Sequence, residues 1–531
     1  MQYSTQNTDV LIVGAGPSGL MMACQLARYG IRFRIIDKKD QPTACSGALI
    51  LQARSLEIFE QMNIADKAMQ EGIIARKINI SFNGKKALSL NLKNKAARLT
   101  QFPYILMLEQ SKTEQLLADF IKSFGFTIER KTELLTFSQD NEFVTSTMQL
   151  PDGSKETVTS SYLLAADGGK SLIRSVLNIP FLGNTHELDL FVIDTKTEVD
   201  LSNEEIHFSF TKNGSTGLFP LKNRRWRIDG SITNMLKDKE SLSFIGIKKM
   251  YAKSTLLNIE LQEPEWFSVF HSNQRYAAMF SLNRCFLIGD AAHLFSPVGA
   301  QGMNSGLQDA YNLAWKLSLV IHKKASESLL STYNTERQPP SKKIISNTDR
   351  AFQLISSTNF MAKFIRLRIA PGVLKFLLPI IDRNRVLGDF LFKRISQISI
   401  SYHKLNSFRK TSRGRFPIRT PKPGDRLPFI KFQLHGKEVN IQDKLKQAGF
   451  QLFIFTNQAI DYSKIEETYK GILSIEVIPF NQGTAPLYKK LGIRNKGYYL
   501  IRPDMHIACR SNQSNIDEVG KFLDNYLGNK K

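Results

Sequence analysis

A chain of 531 residues with 42% hydrophobic and 10% aromatic residues is too long for one ordinary core, so we expect about three globular domains. Its four cysteines (Cys24, Cys45, Cys285 and Cys509) contain no C-x-x-C pair, which excludes a disulfide framework and a thiolate metal site and agrees with a reducing compartment. The net charge is +24, but no recognition motif accompanies it, so no nucleic-acid partner is expected.

The N-terminal part of the chain predicts a β-α-β unit. It has no secretory signal pattern, and the chain has no run of about 18 apolar residues, so we expect a cytoplasmic protein without a transmembrane helix. Residues 9–13 form an apolar run that predicts a buried strand, and residues 19–29 have helical periodicity that stops at Gly30. A second β-rich run over 31–36 ends at Asp37.

The remainder of the chain alternates between α/β and β-rich stretches. The periodicity predicts helices over 54–62, 112–124, 306–322 and 333–350, and buried strands over 161–166 and 285–288. Short alternating segments predict several strands within 77–92 and within 187–280. A Pro- and Gly-rich linker over 419–424 precedes a final α/β stretch over 444–499. This order indicates an α/β protein with a β-rich middle part.

The first motif with chemical meaning is the turn Gly14-Ala-Gly16-Pro17-Ser18-Gly19, between the first strand and the first helix. Gly14 permits a tight turn, Gly16 lets the backbone approach a pyrophosphate, and Gly19 allows close helix–strand packing. The helix N-terminus offers N–H groups to phosphates, and Asp37 is placed to bind ribose hydroxyls. The context predicts a dinucleotide site, the alternative being a glycine-rich turn without a ligand.

Two further motifs follow predicted strands. The stretch Asp167-Gly-Gly-Lys-Ser-Leu-Ile-Arg174 is one, and Gly289-Asp290, with the glycine-rich loop over 299–304, is the other. Asp290 and His293 also fit part of a metal site, but the sequence shows no converging ligands. No serine or cysteine here has the setting of a catalytic nucleophile.

In this order the three motifs resemble the group A FAD-dependent aromatic monooxygenases with the para-hydroxybenzoate-hydroxylase fold, in the branch of phenol hydroxylase and pentachlorophenol monooxygenase. The second motif is similar to the family's D-G-x-x-S-x-x-R fingerprint, and the third to its FAD-ribityl motif. Segments over 52–59 and 107–114 are similar to the family's x-x-R-T-L-E and P-Q-x-x-x-E segments. The resemblance spans nearly the whole chain.

The resemblance implies a set of residues that bind FAD. They are Gly14, Gly16, Pro17, Ser18, Gly19, Asp37, Arg54, Gln110, Asp167, Gly289, Asp290, Gly302, Met303 and Asn304. Pro297 and Gly299 become candidates for the flavin side of the substrate pocket. No catalytic residue and no metal ligand is nominated.

The resemblance also implies an α/β fold with three parts: a Rossmann-like FAD-binding domain, an inserted β-sheet substrate domain and a C-terminal thioredoxin-like domain. The expected boundaries are 1–76, 101–180 and 276–350 for the FAD-binding domain, 77–100 and 181–275 for the β-rich substrate domain, 351–418 for a basic helical segment and 419–531 for the thioredoxin-like domain.

The implied activity is an FAD-dependent monooxygenase that uses NAD(P)H and O₂ to hydroxylate a small aromatic, phenol-like or polycyclic substrate through a flavin C4a-hydroperoxide. No second dinucleotide motif is present, so NADPH or NADH would act as a transient reductant. The alternatives are a related FAD epoxidase or dehydrogenase, and a non-catalytic flavin-binding or membrane-docked protein. A homodimer is also left open.

Departures from the family pattern concern the pocket and the C-terminal part. Gly47 stands where the family often has Arg, and Ser296-Pro297-Val-Gly299-Ala300 replaces Pro-Pro-x-Gly-Gly. Because Ala300 adds a methyl group to a tight loop, ring placement and pocket size are expected to differ. The thioredoxin-like part has no C-x-x-C, so a structural role is expected for it.

The β-rich middle part is expected to line the substrate side of the pocket. The candidates are Phe208, Phe219, Trp226, Arg227 and Phe280, although the same aromatic residues could form the core of the sheet. His207, Tyr276 and Asp229 could act as a base, and the sequence does not select among them. It also leaves open which strand face turns toward the pocket.

Half of the net charge lies in residues 361–420, which contain fourteen Lys and Arg against Asp382 and Asp389. Apolar residues recur through the same segment at helical spacing. Such a pattern fits a helical segment that packs its apolar side on the body of the protein, which is the interpretation we favour. The alternative is a peripheral membrane contact through 361–420.

Overall fold

The structure is a computed structural model. It describes residues 6–43, 47–83, 85–92, 96–197, 201–211, 214–231, 243–248, 261–297, 299–356, 359–446, 448–513 and 515–528. Within these ranges, no helix combines the length and the hydropathy needed to cross a membrane.

The first part of the chain alternates between strands and helices, and the middle part is rich in strands. The first part forms β1 (Gln6–Val13), α1 (Pro17–Arg28), β2 (Phe33–Asp37), β3 (Ile50–Leu51), α2 (Ala53–Gln61), α3 (Ala65–Glu71), β4 (Ile73–Ala75), β5 (Lys77–Phe82), β6 (Lys85–Asn91), β7 (Ile105–Met107), α4 (Gln110–Ser123), β8 (Ile128–Arg130), β9 (Glu133–Gln139), β10 (Val144–Gln149), β11 (Lys155–Ala165) and α5 (Leu172–Val176). The middle part forms β12 (Phe181–Lys196), β13 (Glu205–Thr211), β14 (Gly214–Leu221), β15 (Arg225–Ser231), β16 (Pro264–Ala277), β17 (Ser281–Leu282), β18 (Cys285–Leu287) and β19 (His293–Leu294).

A helical part and a mixed C-terminal part complete the chain. The helical part forms α6 (Gly302–Ile321), α7 (Ser328–Ser356), α8 (Phe360–Phe364), a π-helical turn (Ile365–Ile369), α9 (Ala370–Arg383) and α10 (Arg385–Ile395). The C-terminal part forms β20 (Ser412–Arg413), β21 (Lys431–Leu434), β22 (Lys437–Asn440), β23 (Phe450–Phe455), α11 (Ser463–Thr468), β24 (Leu473–Ile478), α12 (Ala485–Leu491), β25 (Gly497–Ile501), β26 (Ile507–Ser511) and α13 (Asp517–Leu527).

The first sheet has the strand order β17-β18-β11-β1-β2-β8, with the β9–β10 hairpin beside β11. β1 pairs in parallel with β2 and β11, and β11 pairs in parallel with β18, so these four strands end at the same edge. α1 packs against α4 and α6. The predicted β-α-β unit is confirmed, and the predicted strands over 161–166 and 285–288 both lie beside it.

The second sheet has the order β19-β16-β12-β15-β14-β13-β5-β6. Side chains alternate between its faces, and two clusters identify them. The inner face packs on the small sheet of β3, β4 and β7 through a cluster of Leu49, Ala75, Met107, Ile206, Phe219 and Leu221. The outer face carries a separate cluster of Phe191, Ile193, Leu218, Trp226, Ile228, Ile247 and Leu261. The inner face is therefore the one turned toward the rest of the molecule.

The C-terminal sheet, in the order β20-β26-β25-β23-β24, is fastened to α6 and α7 by a buried ion cluster. Arg502 donates to Glu336 at 2.6 and 2.8 Å, and Lys316 donates to the same carboxylate at 2.9 Å. All three side chains are fully buried. Burial raises the pKa of Glu336, but Arg502 and Lys316 together outweigh it and lower the pKa to about 2. The carboxylate is thus charged and holds two parts of the chain together.

Helices α8, α9 and α10 occupy residues 360–395 of the basic segment, but the expectation that its apolar side packs on the body is wrong. Phe376 is 74% exposed and Val386 is 77% exposed. The reason is that α9 and the π-helical turn reach the body mainly at β6 and β13, which covers only one side of the helices.

Candidate functional site

The first two motifs meet at the edge where β1 and β11 end. Ala166 N–H donates to Val13 O at 2.8 Å, which continues the strand pairing into the turn. Gly14 has φ +103°, and a Cβ added there would lie 2.3 Å from Ala166 O. Only glycine fits this position, because an L side chain would meet backbone and would rarely adopt that φ.

The third motif closes on the first through glycine contacts. A Cβ added at Gly289 or at Gly306 would lie 2.2 Å from Ser18 Oγ, so the Ser18 side chain fills the space between these two glycines. The third motif also contacts the second, because the Arg174 guanidinium donates to Ala291 O at 2.9 Å and to Gly169 O at 2.8 Å. The structure therefore brings all three predicted motifs to one place.

Two features of the first two motifs leave room for a ligand among the described residues. A Cβ added at Gly16 would meet nothing within 4 Å, so the turn is open on that side. Asp167 Oδ2 accepts from Ile173 N–H at 3.3 Å, whereas its buried Oδ1 has no hydrogen bond in the described part of the chain. Burial raises the pKa of Asp167. A buried oxygen of this kind fits a ligand that carries hydroxyl or N–H donors.

Asp290 follows Gly289 in the third motif. Its side chain is exposed, yet the surrounding protein raises the pKa of its carboxyl through desolvation, with a smaller opposing effect from His293. The exposed carboxylate is available to a ligand that binds beside Gly289.

Asp37 is already part of the glycine-rich turn. Its Oδ2 accepts from Ala15 N–H at 2.8 Å, and its Oδ1 accepts from Lys39 N–H at 2.9 Å. Oδ2 also lies 3.6 Å from Arg130 Nη1, whereas Oδ1 keeps a further lone pair. Asp37 thus fixes the turn and still has capacity for a ribose hydroxyl.

The Asn304 side chain is fully used inside the protein. Its Oδ1 accepts from Gln52 N–H at 2.8 Å and Ser55 Oγ at 2.7 Å, and its Nδ2 donates to Ile50 O at 2.8 Å and Ala300 O at 2.9 Å. Asn304 therefore joins α6 to β3 and α2. Its backbone N–H, with those of Gly302 and Met303, forms the first turn of α6, where helical N–H groups lack intrahelical partners.

The altered loop before α6 contains a strained residue. Ala300 has φ +50°, in the left-handed region, and Gly299 has φ +83°. Ala300 N–H donates to Pro297 O at 3.0 Å, which closes a turn. The structure exposes both Pro297 and Gly299, the two pocket candidates.

Replacing Ala300 by Gly is expected to raise the free energy of unfolding by about 0.5–1 kcal/mol, because glycine adopts a left-handed conformation without steric cost. Urea denaturation measures the change. Ala310→Gly, in the interior of α6, is the control and is expected to lower stability by about 1 kcal/mol or more. A loss of stability in Ala300→Gly would contradict the strain.

His293 lies beneath the third motif and is fully buried. Its Nε2 lies 2.6 Å from Asp309 Oδ2, while Asp309 Oδ1 accepts from Arg337 Nε at 2.8 Å. Asp309 also accepts from Gly289 N–H at 3.2 Å. Burial raises the pKa of Asp309, but His293 and Arg337 outweigh it and hold the pKa below its usual value. The cluster positions the Gly289 backbone and is itself closed to solvent.

Arg54 was implied to lie near the cofactor, and the structure shows only its protein partners. The guanidinium is buried and donates to Asp504 O at 2.8 Å and to Glu57 at 3.2 Å, so α2 directs it toward the C-terminal part. Gln52 takes its place: Gln52 Nε2 donates to Gly299 O at 3.2 Å. The segment over 52–59 does reach the loop before α6. The side chain that makes the contact is Gln52, two residues before Arg54.

Gln110 stands at the first position of α4. Its Oε1 accepts from Ala48 N–H at 3.1 Å, and its Nε2 donates to Glu114 at 2.8 Å. A Cβ added at Gly47 would lie 3.4 Å from Gln110 Oε1. Gln110 therefore supports the chain that precedes β3, where the family's Arg is missing.

The strand register separates the expected pocket residues. Asp229 pairs with Gly217, and Arg227 pairs with Phe219, so all four side-chain positions share the inner face. Phe208, which pairs with Gly217, lies there too. Arg227 is held by Asp194 through two contacts of 2.7 Å. This face presents aromatic rings and one carboxyl, Asp229, that has no ion pair among the described residues.

Two of the candidate pocket residues agree with the alternative interpretation, in which the aromatic residues form core. Trp226 belongs to the outer-face cluster, because it alternates with Arg225 and Arg227 along β15. Phe280 is fully buried between His293 and Tyr333, in the core of the first sheet. His207 shares the outer face with Trp226, at a ring distance of 6.4 Å.

Two buried polar side chains were not predicted from the sequence. Gln274, in β16, is 2% exposed, and neither its Oε1 nor its Nε2 has a hydrogen bond in the described part of the chain. Ser296 Oγ, in the altered loop, is likewise buried without a partner there. The changed loop sequence signalled Ser296, whereas Gln274 has no motif around it.

Comparison with known proteins agrees with this geometry. A family model described as FAD binding domain matches residues 7–348. The chain is 30% identical over 529 residues to 6-methylpretetramide 4-monooxygenase of Streptomyces rimosus, covering 97% of this chain and 92% of that one. It is 29% identical to pentachlorophenol 4-monooxygenase of Sphingobium chlorophenolicum, covering 98% and 96%.

A solved structure shares the fold. The ternary complex of aklavinone-11 hydroxylase with FAD and aklavinone superimposes with a TM-score of 0.79 at 20% identity, covering 99% of this chain and 100% of that chain. The predicted α/β fold class, with its Rossmann-like first part, inserted sheet and C-terminal part, is confirmed.

Proposed function

The chain belongs to the family of FAD-dependent aromatic monooxygenases that carry this FAD binding domain, and we propose that its substrate is a phenol, most simply one on a polycyclic ring system. The observation that carries the substrate proposal is the inner face of the second sheet. It offers Phe208, which is half-buried beside the packed cluster that contains Phe219, and Asp229 as one carboxyl across Gly217. An apolar wall with one polar group is typical of pockets for ring substrates.

The residues at the edge of the first sheet fit FAD. In this proposal Gly14, Gly16, Pro17, Ser18 and Gly19 form the pyrophosphate turn, where backbone N–H groups at the start of α1 receive the phosphates. Asp37 would hold the adenosine ribose. The orphaned oxygen of Asp167 and the open carboxylate of Asp290 supply acceptors that the flavin's hydroxyl and N–H donors require.

The N-terminus of α6 is assigned to the flavin ring. The backbone N–H groups of Gly302, Met303 and Asn304 would donate to it, and the positive end of the helix favours negative charge there. Gly289, fixed by Asp309, positions the strand end that carries Asp290. Gln110 supports the facing loop, and Pro297 with Gly299 borders the substrate.

Bound FAD supplies the redox chemistry, taking reducing equivalents from NAD(P)H and using O₂ so that one oxygen atom enters the ring and the other leaves as water. The chain contributes binding, orientation and exclusion of water. Asp229 is placed to accept the phenol proton, which makes the ring more electron-rich. Four expectations stay predictions: the domain boundaries, a homodimer, a peripheral membrane contact and a cytoplasmic location. The cytoplasm is where NAD(P)H is available.

Turnover tests this function directly. The FAD-loaded enzyme is given NADPH or NADH, with and without a panel of simple and polycyclic phenols, and products are read by mass spectrometry. The expected result is faster NAD(P)H oxidation with a matching phenol and a product that gains one oxygen atom. An FAD-loaded enzyme that oxygenates no phenol in the panel, and whose reduction none accelerates, would contradict the proposal.

A further inference from the structure

The helices α8, α9 and α10, with the π-helical turn between the first two, form a surface that we call the basic apolar surface, residues 360–395. Half of the exposed large hydrophobic side chains in the described part of the chain lie on it. They are Phe360, Met361, Phe364, Ile369, Val373, Phe376, Leu377, Ile380, Val386, Phe390 and Ile395. Contiguous apolar surface of this kind is uncommon on soluble monomers and marks an interaction site.

The apolar side chains at the end of the π-helical turn and along α9 form one stripe. Ile369, Val373, Phe376/Leu377 and Ile380 recur at intervals of three and four residues, which places them on one face of the helix. A helix in a globular protein normally turns such a stripe inward. Here the body of the protein meets the helices at β6 and β13, and the stripe remains on the solvent side.

Positive charge surrounds the stripe. Arg368, Lys375, Arg383, Lys393 and Arg394 are all exposed. Asp389 does not offset them, because it is only 13% exposed and is paired with Arg98. Exposed Phe and Leu beside Lys and Arg on one helical face is the composition of segments that bind anionic bilayers.

We propose that the basic apolar surface docks on an anionic lipid bilayer, with Phe360, Phe376 and Val386 inserted below the headgroups and the cations against lipid phosphates. These three side chains are 77%, 74% and 77% exposed, the highest fractions on this surface. The positive charge favours an anionic bilayer over a second copy of this chain, because self-association would bring two cationic surfaces together. Binding therefore combines apolar insertion with a salt-sensitive attraction.

Vesicle co-sedimentation of the FAD-loaded full-length protein tests the surface. Vesicles of phosphatidylcholine alone are compared with vesicles of phosphatidylcholine and phosphatidylglycerol in equal amounts. The protein is expected to sediment with the anionic vesicles, to bind less at high salt, and to stay in solution with the neutral ones. Phe360→Ser/Phe376→Ser/Val386→Ser is expected to weaken binding by about tenfold or more, as is Lys375→Glu/Arg383→Glu/Arg394→Glu.

Matched variants outside the surface are the controls. Ile418→Ser removes a side chain that is 91% exposed, and Lys489→Glu/Lys490→Glu reverses two exposed charges in α12. Both should bind as the unaltered protein does. FAD content and melting temperature show whether each variant is folded. The proposal is overturned if anionic vesicles do not retain the protein, if the controls lose as much binding, or if gel filtration shows a dimer that the triple apolar variant dissociates.

Discussion

Replacing Asp290 by Ala is expected to weaken FAD binding by about 100-fold while leaving the fold of the apoprotein intact. The carboxylate is exposed and has no hydrogen bond to the described residues, so the apoprotein loses no partner when it is removed. The cofactor loses one or two charge-assisted hydrogen bonds from its hydroxyl groups, each worth roughly 1.5–3 kcal/mol. The dissociation constant, measured by titration of apoprotein with FAD, and the visible absorbance of the purified protein report the change.

Asp66→Ala is the matched control, because Asp66 is an exposed carboxylate in the first turn of α3. It should keep full FAD content. Urea denaturation of the two apoproteins should agree within about 0.5 kcal/mol. If Asp290→Ala binds FAD as tightly as the unaltered protein, the assignment of Asp290 to the ribityl chain is wrong. If its apoprotein is strongly destabilised, the side chain has a structural role instead.

The motifs at the shared edge of β1, β11 and β18 could be predicted from the sequence, because each depends on residues that are close together along the chain. The backbone at Gly14 and Gly289 approaches other chain segments so closely that no Cβ fits, and such a requirement is written in the sequence as an isolated glycine. The apolar runs of β1, β11 and β18 predicted buried parallel strands. Parallel strands then bring their ends, and the motifs that follow them, to one edge.

The sequence did not predict the direction in which individual side chains point. Arg54 lies in the expected segment, but its guanidinium contacts Asp504, which is 450 residues away in sequence. Trp226 and Arg227 are neighbours, so one must face outward, and only the pairing with β14 shows which. The apolar residues of α9 were expected inside because helices usually bury such a stripe, and composition alone does not show whether a covering partner exists.

Replacing Asp229 by Asn is expected to lower kcat with a phenolic substrate by about 100-fold, the usual loss when a general base is removed. Burial raises the pKa of Asp229 to about 6, with smaller opposing effects from Arg227 and from the Gly217 backbone. A carboxyl must lose its proton before it can accept one, so the activity of the unaltered enzyme should rise with pH through about 6. The Asn variant should lose that step, as steady-state rates from pH 5 to 8 would show.

As pH rises, the free energy of unfolding of the unaltered enzyme is expected to fall while its activity rises. A carboxyl whose pKa is raised in the folded state binds its proton more tightly there, so stability falls as pH rises from 3.8 to about 6, and the full cost remains above pH 6. Asn carries no charge, so the variant is expected to be more stable at pH 8 by about 1–2 kcal/mol, since the partial exposure of Asp229 reduces the effect. Urea denaturation at pH 5 and pH 8 measures the difference.

Two controls separate a base from a packing residue. His207→Gln alters the outer face of the same sheet and should keep both kcat and the pH profile. An aryl methyl ether has no phenolic proton, so Asp229→Asn should cost little in any turnover of such an analogue. If the variant keeps the rise near pH 6, or slows ether and phenol equally, Asp229 is not the base, and the phenol proton must leave to another acceptor or to water.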